Sequence, residues 1–441
     1  MHDMRKLTSI LLTFLLFACA GKRTADKKLL TDKDLLHRNI RQITEVIVHD
    51  IFSPPVASRI YAYTNLASYE AVRFARPGYV SIAAQLHGFG PMPAPEKGKK
   101  YNFLLAATKA AFTVAEKITF SADTLANYQS KVYSDFKELL DQETFDQSIA
   151  FGEAIGKQVL KRTTTDNYKQ TRAMEKFLGS DEPGKWRPTP PDYADAAEPY
   201  WAMIKTFKLD SAGQFTCGPP YDYSIDTNSN FYKQVREVYN IGRNLTDSQK
   251  TIARYWDDNP FVTEHSGHLM FANKKITPVG HWMGITGIAC KMKNLSEVET
   301  AQAYLVTSLA IYDGFISCWK EKYRTQVVRP VTVVNELIDR NWVPFLQTPP
   351  FPEHTSAHSV ISAAAATVLS KRFGEDFAFH DTSEMEYIGM QRSFPSFMQA
   401  SLEASVSRVY GGIHYLHSVR EGVIFGKKIG EYYNNSLVLK K

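Results

Sequence analysis

Apolar residues recur at intervals of three and four along most of the chain, and this spacing limits the fold more than any other feature. Residues 32–52, DKDLLHRNIRQITEVIVHDIF, carry it, as do residues 101–118, 131–161 and 297–323. An apolar stripe at that period is the signature of a helix that buries one face. Two capping boxes, Ser296-x-x-Glu299 and Thr246-x-x-Gln249, mark helix starts. Stretches that alternate apolar and polar residues are scarce, so the spacing predicts an all-α protein. Between about residues 178 and 230 the periodicity stops, and Pro, Gly, Asp and Tyr crowd into DEPGKWRPTPPDYADAAEPY and TCGPPYDYSIDTNSN. A connection this long and irregular often carries function or covers a site. No internal repeat is visible. The expected organisation is an N-terminal helical region at 31–229 that includes this connection, followed by a C-terminal helical bundle at 230–441.

Composition narrows the functional classes. The chain has 441 residues, 44% hydrophobic and 22% charged, with a formal net charge of +6. These values describe a folded globular protein rather than a disordered one. The mild positive charge suits a small anionic substrate or an envelope surface. KGKK at 97–100 reads as a solvated loop, and no basic block interleaved with aromatics points to nucleic acid. The N-terminus has a short basic lead, MHDMRK, then a 12-residue apolar stretch too short to span a bilayer. That combination reads as a signal peptide over residues 1–19. Its end, Leu16-Phe17-Ala18-Cys19, resembles a lipobox, so Cys19 is expected to be lipidated, with residues 20–30 as a polar tether. The implied location is the cell envelope of a Gram-negative bacterium, periplasmic or at the outer membrane, with the lipid as the membrane contact. Cys217, Cys290 and Cys318 are too few and too odd for a disulfide framework, and Cys318 reads as a small buried hydrophobe.

Three short segments carry chemistry. The helix at 297–323 runs into Trp319-Lys-Glu-Lys322 and stops before Arg329-Pro330, because proline cannot continue a helix. Lys322 therefore falls in its last turn and Arg329 in the following loop. Residues 351–360, FPEHTSAHSV, place Ser356 and the following amides at the start of another helix. In Ser407-Arg408-Val-Tyr-Gly-Gly-Ile-His414, the two glycines end one helix so that the next begins near His414. A helix N-terminus attracts oxyanions, and arginine's fork matches two oxygens at once. One imidazole can attack or coordinate a central atom while a second moves a proton.

The order and spacing Lys322-x6-Arg329-Pro330, Ser356-Ala357-His358, Ser407-Arg408-x5-His414 resemble the signature of the type-2 phosphatidic acid phosphatase and vanadium haloperoxidase superfamily. Trp319, three before the lysine, and Phe351, seven before His358, resemble the haloperoxidase branch. SPPVASRIYAYTNLASYEA (53–71) and GHWMGI (280–285) look like soluble bacterial members. The resemblance implies a helical bundle of the vanadium haloperoxidase and acid phosphatase type. It implies that His414 is the axial vanadium ligand, or the nucleophile that becomes phosphohistidine, and that His358 is the acid–base group. Lys322, Arg329, Arg408, the Ser356 hydroxyl and the Ala357 amide would hold the equatorial oxygens. Trp319, Phe351 and His354 would border the halide. In such an enzyme bound vanadate takes up hydrogen peroxide, and halide is oxidised to a hypohalous equivalent that reacts with an organic acceptor.

This sequence departs from the family pattern in two places. Ala357 stands where the family usually has glycine, and its methyl group could crowd the anion. Ser418 stands where a carboxylate usually supports the metal-binding histidine, and Glu421 or His417 is the expected substitute. Residues 264–268, EHSGH, imitate the motif but precede Lys322, so the family order rejects them. Asp313 reads equally as support for the site or as an ordinary helix-face carboxylate. A zinc site from His354, His358, His414 and His417 is disfavoured, because neighbouring cations repel a dication. Three classes remain: a vanadate-dependent haloperoxidase-like enzyme, a phosphatase of the same fold acting on a phosphomonoester without a cofactor, and a non-catalytic helical envelope lipoprotein. The oligomeric state stays open, a homo-oligomer included.

Overall fold

The computed structural model describes residues 26–260, 262–266, 269–272 and 274–441. Helices dominate, as the periodicity predicts. They are α1 (Asp34–His49), α2 (Pro54–Val72), α3 (Phe103–Ile118), α4 (Ala122–Leu139), α5 (Gln142–Thr163), α6 (Tyr168–Arg172), α7 (Asn230–Arg243), α8 (Asp247–Tyr255), α9 (Pro278–Met292), α10 (Glu297–Thr325), α11 (Pro330–Leu337), α12 (Ala357–Phe373), α13 (Met385–Ile388), α14 (Phe397–Tyr410) and α15 (Leu416–Ser436). Among the described residues, four short strands form two antiparallel pairs, β1 (Thr263–Ser266) with β2 (Leu269–Ala272) and β3 (Phe379–Asp381) with β4 (Arg392–Phe394). Both capping boxes are present. The segment expected to be one helix at 131–161 belongs to two, because Asp141 caps a new start through the amide of Thr144. Residues 1–25, including Cys19 and the expected signal and tether, lie outside the described residues, as do 267 and 268 of EHSGH and the side chain of His265. No helix among the described residues is long and apolar enough to cross a membrane.

One hydrophobic cluster runs from Leu35 in α1 to Tyr433 in α15 and takes in residues from both halves of the chain. Its axis is α10, which is buried on nearly every side from Val298 to Lys322. A helix of that length without a solvent face belongs at the centre of a core. Helices α12 and α15 pack against it in parallel. Three glycines of α15 at intervals of four form one face: Gly422 lies over Ser356 and Ser359, Gly426 over Val360 and Ala363, and Gly430 over Ala364 and Thr367. The rising register shows that both helices start at the same end. A Cβ on Gly426 would meet the Val360 carbonyl oxygen at 2.0 Å and the Ala363 Cβ at 2.8 Å, so only glycine permits this approach. Gly426→Val is expected to force the helices apart and cost about 1–3 kcal/mol, as overpacking does. Chemical denaturation reads this directly, and an unchanged midpoint would contradict it.

The irregular connection wraps the end of the bundle where α12 and α15 begin. Trp186 donates its amide to the Gln326 carbonyl at 2.7 Å, and Val328 donates to Gly184 at 3.0 Å. Ala197 donates to Pro350 at 2.8 Å. Asp313 is neither part of the site nor a surface carboxylate. Fully buried, it accepts the amides of Phe207, Lys208 and Leu209 and the Tyr433 hydroxyl at 2.7–3.0 Å, tying the connection to α10 and α15.

Candidate active site

The three segments meet at that end of the bundle. Lys322 sits in the last turn of α10, Arg329 is the N-cap of α11, Ser356 is the N-cap of α12, Arg408 lies in the last turn of α14, and His414 lies two residues before α15. The starts of α12 and α15 therefore turn their positive ends toward the same place, which favours an anion there. Lys322, Arg329, Ser356, Arg408 and His414 are all buried, with Lys322, Arg329 and Ser356 fully so. Ser356 caps α12 by accepting from the Ser359 amide, and its hydroxyl also receives the Ser359 hydroxyl at 3.0 Å. Ala357, next along, is buried at the first position of the helix.

Each imidazole is paired with an arginine. Nε2 of His414 lies 3.1 Å from Nη1 of Arg329, and Nε2 of His358 lies 3.4 Å from Nη1 of Arg408. A guanidinium only donates, so Nε2 of His414 must accept, and the ring proton sits on Nδ1. That nitrogen faces Oε1 of Glu353 at 2.7 Å. Neither expected substitute for the missing carboxylate fills this role. Glu421 receives the Gly218 amide at 2.6 Å, and His417 faces the Pro219 carbonyl at 2.8 Å while stacking on Tyr221. Burial, with Arg329, Lys322, Arg408 and His358 adding to it, pushes the His414 imidazole well below its ordinary pKa. Burial followed by Arg408, His281 and Lys322 does the same to His358. The two rings and the three cations thus act on one another across one pocket.

Charge balance shows what the pocket lacks. Arg329 donates to the carbonyls of Phe351, Ile413 and Pro349 and to His414, and among the described residues no carboxylate lies within ion-pair distance of it. Lys322 donates to the carbonyls of Pro352 and Glu353 at 2.9 and 3.0 Å. Burial first, then Arg329, lowers the Lys322 ammonium from its ordinary value. Arg408 donates Nη1 to the Trp256 carbonyl, but its Nε and Nη2 carry no hydrogen bond although fully buried. Nη2 lies 3.7 Å from Asp257, which Lys275 also engages at 2.6 Å. Buried donors without acceptors are costly, and here they belong to a cation inside a cationic pocket.

The residues expected beside a halide are all buried, but they are already engaged. Trp319 and Phe351 pack with ring centroids 5.1 Å apart, and Phe351 lies under both Lys322 and Arg329 at 4.9 Å. Trp319 gives its indole N–H to the Ala197 carbonyl at 3.2 Å, so it backs the cations rather than offering a donor. His354 turns its Nε2 to the Gly218 carbonyl at 3.0 Å, and Cys217 lies 3.5 Å from the same nitrogen. Burial pushes its imidazole down to about 4. His281 of GHWMGI sits in a buried cluster with Asp258, Asp381 and Glu384 and stacks under Trp256 at 4.4 Å. That stack supports the residue whose carbonyl holds Arg408. Glu353, Trp256 and Asp257 were missed in the sequence. The only local signal for Glu353 was an acidic residue beside the FPEHTSAHSV motif.

The comparisons agree with this geometry. A family model described as the VCPO second helical-bundle domain matches residues 302–438, a span that holds every pocket residue named in the three segments. A solved structure, "Crystal structure of the first bacterial vanadium dependant iodoperoxidase", is 43% identical, covers 93% of this chain and 97% of its own, and superposes with a TM-score of 0.88. The chain belongs to the vanadium-dependent haloperoxidase family. Holo and apo bacterial vanadium-dependent chloroperoxidases share the fold at 18% and 16% identity, with TM-scores of 0.65 and 0.66. The first covers 88% of this chain and 93% of its own, and the second 87% and 94%. No curated protein matches the chain. Family membership makes it an enzyme with a haloperoxidase-like function. The all-α fold read from the periodicity is the fold of these relatives.

Proposed function

We propose that the chain oxidises halide with hydrogen peroxide at a vanadate held by His414, and that iodide is the preferred halide. The observation that carries the reading is the buried, undercompensated cationic pocket in which Nε2 of His414 and Nε2 of His358 each face an arginine. The donor set fits vanadate. Unbonded Nε and Nη2 of Arg408, the cations Lys322 and Arg329, and the start of α12 at Ser356 and Ala357 suit a tetrahedral oxyanion. Nε2 of His414, deprotonated because Nδ1 carries the ring hydrogen, would hold the vanadium. When bound, vanadate would supply a Lewis-acidic centre that makes peroxide electrophilic toward halide.

The chain's own groups do the rest. Lys322, Arg329 and Arg408 offset negative charge on the bound anion. His358, neutral at working pH because its pKa is lowered, can take a proton from incoming peroxide and return it. The net reaction consumes one proton as halide and peroxide become hypohalous acid and water. Iodide is the easiest halide to oxidise, and the similar iodoperoxidase supports that preference. The small molecules are peroxide, halide and an organic acceptor. We also propose a lipid anchor at Cys19 in the cell envelope.

The test is to load the purified protein with orthovanadate and compare iodide, bromide and chloride at fixed peroxide. The expected order is iodide, then bromide, then chloride, with no turnover before loading. Vanadate-independent hydrolysis of p-nitrophenyl phosphate without halogenation would replace this reading with the phosphatase.

A further inference from the structure

We propose that Glu353 is the positioning residue of this pocket, setting the tautomer and basicity of His414 while holding Lys322 in place. The inference rests on the vanadate reading and asks which residue makes His414 able to serve it. His414 stands on a short irregular turn between α14 and α15, so no helix backbone fixes its ring. Without a partner on Nδ1, the Arg329 contact on Nε2 would be the ring's sole hydrogen bond among the described residues and would hold its tautomer alone.

Glu353 is that partner. Its Oε1 accepts both from Nδ1 of His414, at 2.7 Å, and from the Tyr415 amide, at 3.1 Å. An oxygen that receives two N–H groups carries no proton of its own, so the contact requires hydrogen on Nδ1 and leaves Nε2 bare. Arg329, donating to Nε2 from the other side, imposes the same tautomer. A carboxylate behind an imidazole also raises the electron density at the far nitrogen, which strengthens a ligand or nucleophile.

The backbone of the same residue is equally committed. Its amide donates to the Val327 carbonyl at 2.9 Å, and its carbonyl receives Nζ of Lys322 at 3.0 Å. One residue therefore links the loop after α10, the lysine that ends α10 and the histidine that precedes α15. Its carboxyl is 1% exposed. Burial pushes that carboxyl up, while Arg329, Lys322, the Tyr415 amide and the neighbouring Ser418 resist the shift. Ser418 thus stands beside the carboxylate instead of supplying one.

Glu353→Gln keeps the shape and removes the charge. Two measurements on the full-length protein test the proposal: the vanadate dissociation constant by direct binding, and the His414 tautomer by ring-nitrogen NMR of histidine-labelled protein. Glu353→Gln is expected to weaken vanadate binding by about 10- to 100-fold and to mix the two His414 tautomers, with the circular dichroism spectrum unchanged. A purely structural role would lower the melting temperature and leave the affinity of the folded fraction alone. Wild-type affinity together with a single unchanged tautomer in Glu353→Gln would overturn the inference and leave the vanadate reading standing. If the wild-type protein itself binds no vanadate, the reading fails instead. Should Glu353→Gln not fold, Glu353→Asp, whose shorter arm cannot span the 2.7 Å contact without moving, is expected to give the same loss of affinity.

Discussion

His414→Ala is expected to abolish vanadate-dependent iodide oxidation, with kcat/KM falling at least about 1,000-fold, or roughly 4 kcal/mol of lost transition-state stabilisation. The size follows from the pocket's construction. Nε2 of both His358 and His414 faces an arginine, but of the two rings only His414 has a carboxylate hydrogen-bonded behind it, Glu353 on Nδ1. Removing the ring removes the imidazole whose tautomer is fixed from both sides, by Arg329 on Nε2 and Glu353 on Nδ1. A second readout follows from the depressed pKa. A histidine whose folded pKa lies below 6.5 supports the fold above the unfolded value, and that support is lost as the pH falls below 6.5 and protons bind the unfolded chain preferentially. Thermal melts of ligand-free His414→Ala should therefore be less acid-sensitive between pH 7 and 5 than those of the wild type. Activity within tenfold of wild type would remove His414 from the reaction.

His358→Ala is expected to lower kcat by about 10²- to 10⁴-fold, the usual range for losing a general acid–base group. Vanadate affinity should stay within about tenfold, because the direct contacts of an anion to Arg329, Lys322 and the start of α12 survive. This split distinguishes His358 from His414, whose loss removes binding and turnover together. Nε2 of His358 lies 3.4 Å from Arg408, so the ring also steadies that guanidinium, and a modest rise in dissociation constant is part of the expectation. Equal losses of kcat and affinity would make His358 a binding residue rather than a proton carrier.

The sequence was informative where chemistry is local and silent where it depends on approach. Helix starts were readable because capping is decided within four residues, as at Ser296 and Thr246. The pocket cations and imidazoles were readable because three spaced segments carry them and proline and glycine fix where each helix ends. The break at Asp141 was lost because apolar spacing continues across it. The carboxylate partner of His414 was sought within one or two helical turns at 417 and 421, but it comes from a separate loop 61 positions earlier in the chain. Nothing in the local pattern reveals that pairing. It follows from the glycine face of α15, which brings the start of that helix against the start of α12. Asp313 was misjudged for the same reason, since its partners at 207–209 come from a connection with no period to read. Trp319 illustrates a further limit: residue type suggested a halide contact, but the indole N–H is spent on the Ala197 carbonyl.

The most direct measurement is a crystal structure of the protein soaked with orthovanadate at neutral pH. The account predicts one vanadate per chain at the shared end of α12 and α15, with vanadium bonded to Nε2 of His414 and its oxygens on Lys322, Arg329, Arg408 and the Ser356–Ala357 turn. Vanadate bound elsewhere, or a pocket that stays free of it while Nε2 of His414 carries a proton, would contradict it.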